Sequence, residues 1–157
     1  FQQLGALSCE DFSEQLQRNR VIWLFHHIPK TAGTSLVQEL RFCFPPYFNI
    51  GAAARRAGAD AGPGGDPLSL GIELCLQQHP QTQFRAISGH LWPHHVTRLL
   101  EALPQVRAFT VLRDPVRRMV SEYRYMRTPR HPGHAGFIAR YPDLDSYLDD
   151  PANANKM

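Results

Sequence analysis

Lys30 stands in the run His27-Ile28-Pro29-Lys30-Thr31-Ala32-Gly33-Thr34-Ser35, and the chain has only one other lysine, Lys156, against fifteen arginines. A lone ammonium in a glycine-containing turn suits chemistry in which charge migrates between oxygens, because it is a compact point charge on a flexible stem. Gly33 permits close backbone approach, and Thr31, Thr34 and Ser35 add hydroxyl donors. A helix starting at Thr34 would present N–H groups without intrahelical partners and the positive end of its dipole, so the run reads as a phosphate cradle. It is not a Walker A loop, since no Gly-Lys pair occurs and no second glycine stands upstream at the required spacing, which weakens a kinase or ATPase reading. The plainer alternative is a turn shaped by Pro29 and Gly33 and capped by Thr34.

Two further groups could act with it. In Arg113-Asp114-Pro115-Val116-Arg117-Arg118-Met119-Val120-Ser121, Asp114 suits an N-cap and Pro115 a first helical residue. Arg113 then falls at the carboxyl end of a strand, and with Ser121 it could bracket a second phosphate. The alternative is a capped helix with a solvated basic face. His90 closes the strand-like run Phe84-Arg85-Ala86-Ile87-Ser88-Gly89-His90. An imidazole at a strand end suits a base that takes a proton from a hydroxyl; the alternative is a turn residue donating to a backbone carbonyl.

The elements that must position these residues are legible from apolar patterning. Strands are expected at Val21–His26, Phe84–His90 and Val106–Leu112. Helices are expected from Thr34, with Leu36, Val37, Leu40, Cys43 and Phe44 on one face, and around Ser69–Gln78, His94–Leu103 and from Pro115. The alternation implies an α/β fold, a single P-loop-like domain with a parallel sheet covered by helices on both faces. From Gly51 to Pro67 thirteen of seventeen residues are Gly, Ala or Pro, which predicts a flexible loop. Thr128–His134 reads as an irregular basic loop and Asp143–Asp150 as a short acidic helix.

The loop at Lys30 and the Arg-Asp-Pro segment, in this order and about eighty residues apart, together resemble the sulfotransferase superfamily. The wording of the first is nearest to the glycan-modifying, Golgi-type branch that includes the heparan sulfate O-sulfotransferases. The resemblance implies that Lys30, Thr31, Gly33, Thr34 and Ser35 hold the 5′ side of 3′-phosphoadenosine 5′-phosphosulfate and that Arg113 and Ser121 hold its 3′-phosphate. It also implies His90 as the base and a hydroxyl acceptor, expected on a carbohydrate. No metal is expected, because Asp114, the one acid at a strand end, serves more simply as a helix cap. The rival readings are a P-loop-like kinase or nucleotide hydrolase and a non-catalytic module binding nucleotide or glycan. Family members usually continue further, so residues 1–157 are expected to form one domain incomplete at its carboxyl end, and Phe1 in place of Met suggests a fragment.

Composition limits the remaining choices. A net charge of +3 and a pI near 9.0 fit an anionic ligand but are too weak to argue for nucleic acid. No apolar run of membrane-spanning length and no signal-like start occur. The Ala/Gly/Pro-rich tract and the surplus of Arg over Lys suggest a GC-rich genome and a bacterial cytoplasmic protein, with a Golgi lumen the alternative if an anchor has been removed. Oligomeric state is not legible. His94 and His95 at a helix start are expected to be surface or acceptor-cleft residues. His26 and His27, adjacent on an extended chain, should point to opposite faces, with His27 the better placed for a ligand. Cys9, Cys43 and Cys75 show no CxxC spacing, and the last two are expected as buried thiols.

Overall fold

The structure is a computed structural model that describes residues 20–58 and 66–153. Cys9, Lys156 and the middle of the expected loop lie outside the described residues. The chain divides into two compact units. One holds residues 20–27 and 34–110, the other residues 28–33 and 111–153, as far as they are described.

The first unit is built on strands β1 (Ile22–His26), β2 (Tyr47–Asn49), β3 (Ala86–Gly89) and β4 (Val106–Phe109), in the order β2-β3-β1-β4 and all parallel. Trp23 faces Ala86 on one side and Arg107 on the other, and Tyr47 pairs with Ala86 across the second junction. Because side chains alternate along a strand, β1 serves two layers at once. Ile22 and Leu24 join Phe48, Ile50, Ile72, Cys75, Ile87, Leu99 and Val106 in one core, under helices α2 (Ile50–Arg56), α3 (Pro67–Thr82) and α4 (Pro93–Ala102). On the opposite face Phe25 and Trp23 meet Leu36, Val37, Leu40 and Phe44, contributed by or next to helix α1 (Gly33–Cys43). The expected α/β architecture, a parallel sheet with helices on both faces, is therefore present.

Three local expectations are corrected. The Ala-rich tract does not begin as a loop at Gly51: Ile50–Arg56 is helical, Asn49 Oδ1 accepts from the Ala52 N–H at 2.8 Å, and Ala53 and Ala54 are buried. Alanine counted toward a loop when grouped with Gly and Pro, yet it is the best helix former. Cys43 is exposed, and only Cys75 is buried. Phe44, packed edge-on against Trp23 at 6.4 Å, takes the core position beyond the helix end. Finally, β4 ends at Phe109, so Arg113 lies beyond the strand and not at its tip. Its partner β1 stops at His26, and the Thr110 hydroxyl caps the His26 carbonyl at 2.7 Å where the ladder ends.

The second unit carries helices α5 (Pro115–Met126), α6 (His134–Arg140) and α7 (Leu144–Leu148), closed by a single 3-10 turn at Pro151–Asn153. Phe137, Tyr141 and Tyr147 form its core, with Met119, Tyr123, Met126 and Leu144 packed around them. The turn-rich segment at Thr128–His134 and the short helix at Leu144–Leu148 appear as expected. Neither β2 nor α6 was anticipated, since a three-residue strand and a seven-residue helix are too short to impose a period.

Candidate active site

In the first unit the expected base is held at two points. His90 Nδ1 lies 2.7 Å from the His27 carbonyl oxygen. A ring nitrogen can bond a carbonyl only by donating, so Nδ1 carries the proton and the neutral ring keeps its lone pair on Nε2. The bond is the one a structural turn histidine would make, and it also leaves the tautomer that a general base needs. His90 is exposed, and the His27 ring stacks on it at 4.1 Å with planes 30° apart. His27 stacks in turn on Phe25 at 5.2 Å, and Phe25 on Phe109 at 5.3 Å. A column of rings thus runs from the core to His90. Burial, and then the facing charge of His90, bring the His27 pKa down to about 4, so that ring is neutral near pH 7. His26 points away as expected, its Nε2 2.9 Å from the Leu91 carbonyl.

His95 is not a surface residue. It is 1% exposed; its Nδ1 accepts the Trp92 N–H at 3.1 Å and its Nε2 meets Asp66 Oδ2 at 2.5 Å. Turning the ring inward lets it cap its own helix and tie α4 to Asp66, the N-cap of α3. Asp66, His94 and His95 come within 4.8 Å of one another, as metal ligands would. The tautomer opposes that use: with Nδ1 accepting from a backbone N–H, the ring proton sits on Nε2, where a metal would need the lone pair. The cluster acts as a clamp between two helices.

Thr34 and Ser35, the first residues of α1 in this unit, are exposed and begin a helix with no acidic residue in its first turn. They remain available to an anion.

In the second unit, Lys30 and Ala32 hold φ of 68° and 65°. Side-chain-bearing residues rarely adopt this region, and backbone held there is characteristic of anion-binding turns and of functional loops. Gly33 is buried and Lys30 half-buried. The Lys30 ammonium sits 4.1 Å from the centre of the Tyr125 ring, and Arg113 Nη1 donates to the Lys30 carbonyl at 3.2 Å. Arg113 is thereby tied to the very residue whose loop it was expected to act beside. Thr31 differs from expectation: it is 3% exposed and its hydroxyl donates to the Ile28 carbonyl at 2.8 Å, which shapes the loop.

Arg113, Val116, Arg117, Val120, Ser121 and Arg124 line an open cavity of about 260 Å³. Asp114 caps α5, its Oδ1 accepting from the Arg117 N–H at 2.8 Å, so its carboxylate is engaged as the sequence suggests. Arg117 and Arg124 were missed as site residues. Their signal was present, because positions 117, 121 and 124 are four and three apart and share a helix face, but it looks the same as a solvated basic stripe.

A protein-family model described as the sulfotransferase family matches residues 17–154 of the chain. Searches of curated proteins and of solved structures returned no match.

Proposed function

The chain belongs to the sulfotransferase family, and on that premise we propose that it transfers a sulfuryl group from 3′-phosphoadenosine 5′-phosphosulfate to a hydroxyl of a carbohydrate. The family supports sulfuryl transfer; the donor and the acceptor are our reading. The observation that carries it is the cavity where Arg113, Arg117 and Arg124 meet Ser121. Three guanidiniums and a hydroxyl, with no carboxylate among the lining residues, suit a dianionic phosphate such as the 3′-phosphate that distinguishes this donor from ATP.

In this reading the amides of residues 30–35, the Thr34 and Ser35 hydroxyls and Lys30 take the 5′ side. Thr31 contributes through its backbone, since its hydroxyl is engaged. The donor supplies an activated sulfuryl group. His90 Nε2, left unprotonated by the bond from Nδ1 to His27, takes the proton of the acceptor hydroxyl. Lys30 and the loop amides stabilise negative charge on the phosphate side, so catalysis rests on positioning and electrostatics. The assigned groups are cations and donors, which hold an anion without a divalent ion. The carbohydrate acceptor rests on the resemblance of the Lys30 loop to the glycan-modifying branch.

Calorimetric titration tests this directly. Adenosine 3′,5′-bisphosphate should bind in the presence of EDTA and more tightly than ATP with magnesium. Tighter, magnesium-dependent binding of ATP would overturn the proposal in favour of a kinase or nucleotide hydrolase.

A further inference from the structure

The Lys30 ammonium faces the Tyr125 ring at 4.1 Å, and among the described residues no carboxylate lies within ion-pair distance of it. We propose that Tyr125 is a positioning residue for Lys30, its ring face holding the ammonium in the empty loop and yielding it when a phosphate arrives. This rests on the reading that Lys30 serves the 5′ side of the donor.

The argument is one of exchange. Lys30 sits at φ 68° in a tight loop, so its side chain starts from a constrained backbone and needs a partner that an anion can displace. A carboxylate would compete with the ligand as a charge of the same sign. A π face attracts an ammonium more weakly than a charge-assisted hydrogen bond does, so it orders the side chain without opposing the ligand strongly. Tyr125 has the placement such a partner needs. It is 41% exposed, it lies one turn beyond Ser121 on α5, and the His131 ring braces it edge-on at 5.6 Å. Arg113, on the same unit, holds the Lys30 carbonyl, fixing the backbone from which the side chain swings.

The composition makes the test clean, since the full chain has two lysines. Reductive ¹³C-methylation keeps their charge and labels Lys30, Lys156 and the amino terminus alone; Lys156→Arg assigns the signals. The Lys30 methyl resonance should be shifted upfield by the ring. It should stay so in Tyr125→Phe, lose the shift in Tyr125→Leu, and lose it in the wild-type chain on saturation with adenosine 3′,5′-bisphosphate. Because the ring is a competitor, Tyr125→Leu should bind the bisphosphate as tightly as wild type or up to about fivefold more tightly, with Tyr125→Phe unchanged. An upfield signal that survives Tyr125→Leu, or one that does not move when the bisphosphate binds, overturns the proposal; so does weaker binding by Tyr125→Leu while it remains folded. If Tyr125→Leu fails to fold, the wild-type shift and its response to bisphosphate decide alone. Absence of any bisphosphate binding by wild type would defeat the donor reading and the exchange together, an outcome distinct from a bound ligand beside an unmoved Lys30.

Discussion

At the scale of single residues, His90, His27 and Arg113 carry separable predictions. His90→Ala, in a form active on its acceptor, should lose turnover by about 10²–10⁴-fold while still binding adenosine 3′,5′-bisphosphate, whereas Lys30→Ala should harm both; steady-state rates and calorimetry together check this. Near-normal turnover in His90→Ala would mean that its bond to the His27 carbonyl is structural. Arg113→Ala removes a charged donor from the α5 cavity, and roughly 1.5–3 kcal/mol is at stake for such a bond, the lower end applying to an exposed side chain. The loss should be larger with adenosine 3′,5′-bisphosphate than with adenosine 5′-phosphate, for which only the lost bond to the Lys30 carbonyl counts. His27 adds a pH dependence. Its folded pKa of about 4 lies below the ordinary histidine value of 6.5, so between these values the unfolded chain binds a proton that the folded chain refuses. The His27 contribution should therefore be lost as pH drops from about 6.5 to 4 and be constant below, so stability should fall less over that range in His27→Phe, as urea midpoints would reveal.

At the scale of elements, the helices over the first core are locked by close approach and by caps. A Cβ added at Gly71 in α3 would meet the Ile50 carbonyl oxygen at 2.5 Å. Gly71→Ala should therefore destabilise by about 1–3 kcal/mol through overpacking, despite the higher helix propensity of alanine, and a gain in stability would refute the close α2–α3 contact. Asp66 works differently. Burial alone would raise its pKa, but bonds from His95, Ser69 and the Leu68 N–H outweigh it and hold the carboxyl at about 2. Asp66→Ala removes the α3 cap and the partner of buried His95 together, so it should cost more than the roughly 1 kcal/mol of a simple cap. The expected loss is measurable as a drop in urea midpoint.

At the scale of the whole molecule, the parallel sheet takes its stability from two apolar layers, and β1 feeds both. Leu24 is fully buried, and Leu24→Ala should cost about 2–5 kcal/mol. Ligand binding provides an independent check at the same scale. Adenosine 3′,5′-bisphosphate at a hundred times its dissociation constant should stabilise the folded chain by about 2.7 kcal/mol, with no requirement for magnesium. Among the described residues no helix is long and apolar enough to cross a membrane.

Sequence alone determined the features carried by local spacing. The β1 alternation Ile22-Trp23-Leu24-Phe25, the helix after Gly33, the Asp114-Pro115 start of α5 and the Pro-Lys-Thr and Arg-Asp-Pro segments that point to the family are all short-range patterns. Only tertiary structure decided what depends on contacts between distant residues. His95 turned inward because Asp66, twenty-nine positions away, was there to accept a hydrogen bond from its Nε2; Cys43 turned outward because Phe44 filled the core; the Thr31 hydroxyl was taken by the Ile28 carbonyl. The tautomer of His90 depends on the carbonyl of His27, sixty-three positions earlier, and the partner of Lys30 is a ring on α5. Side-chain period encodes which face a residue occupies, but not which neighbour will be waiting there, since that neighbour is supplied by the folding of another part of the chain.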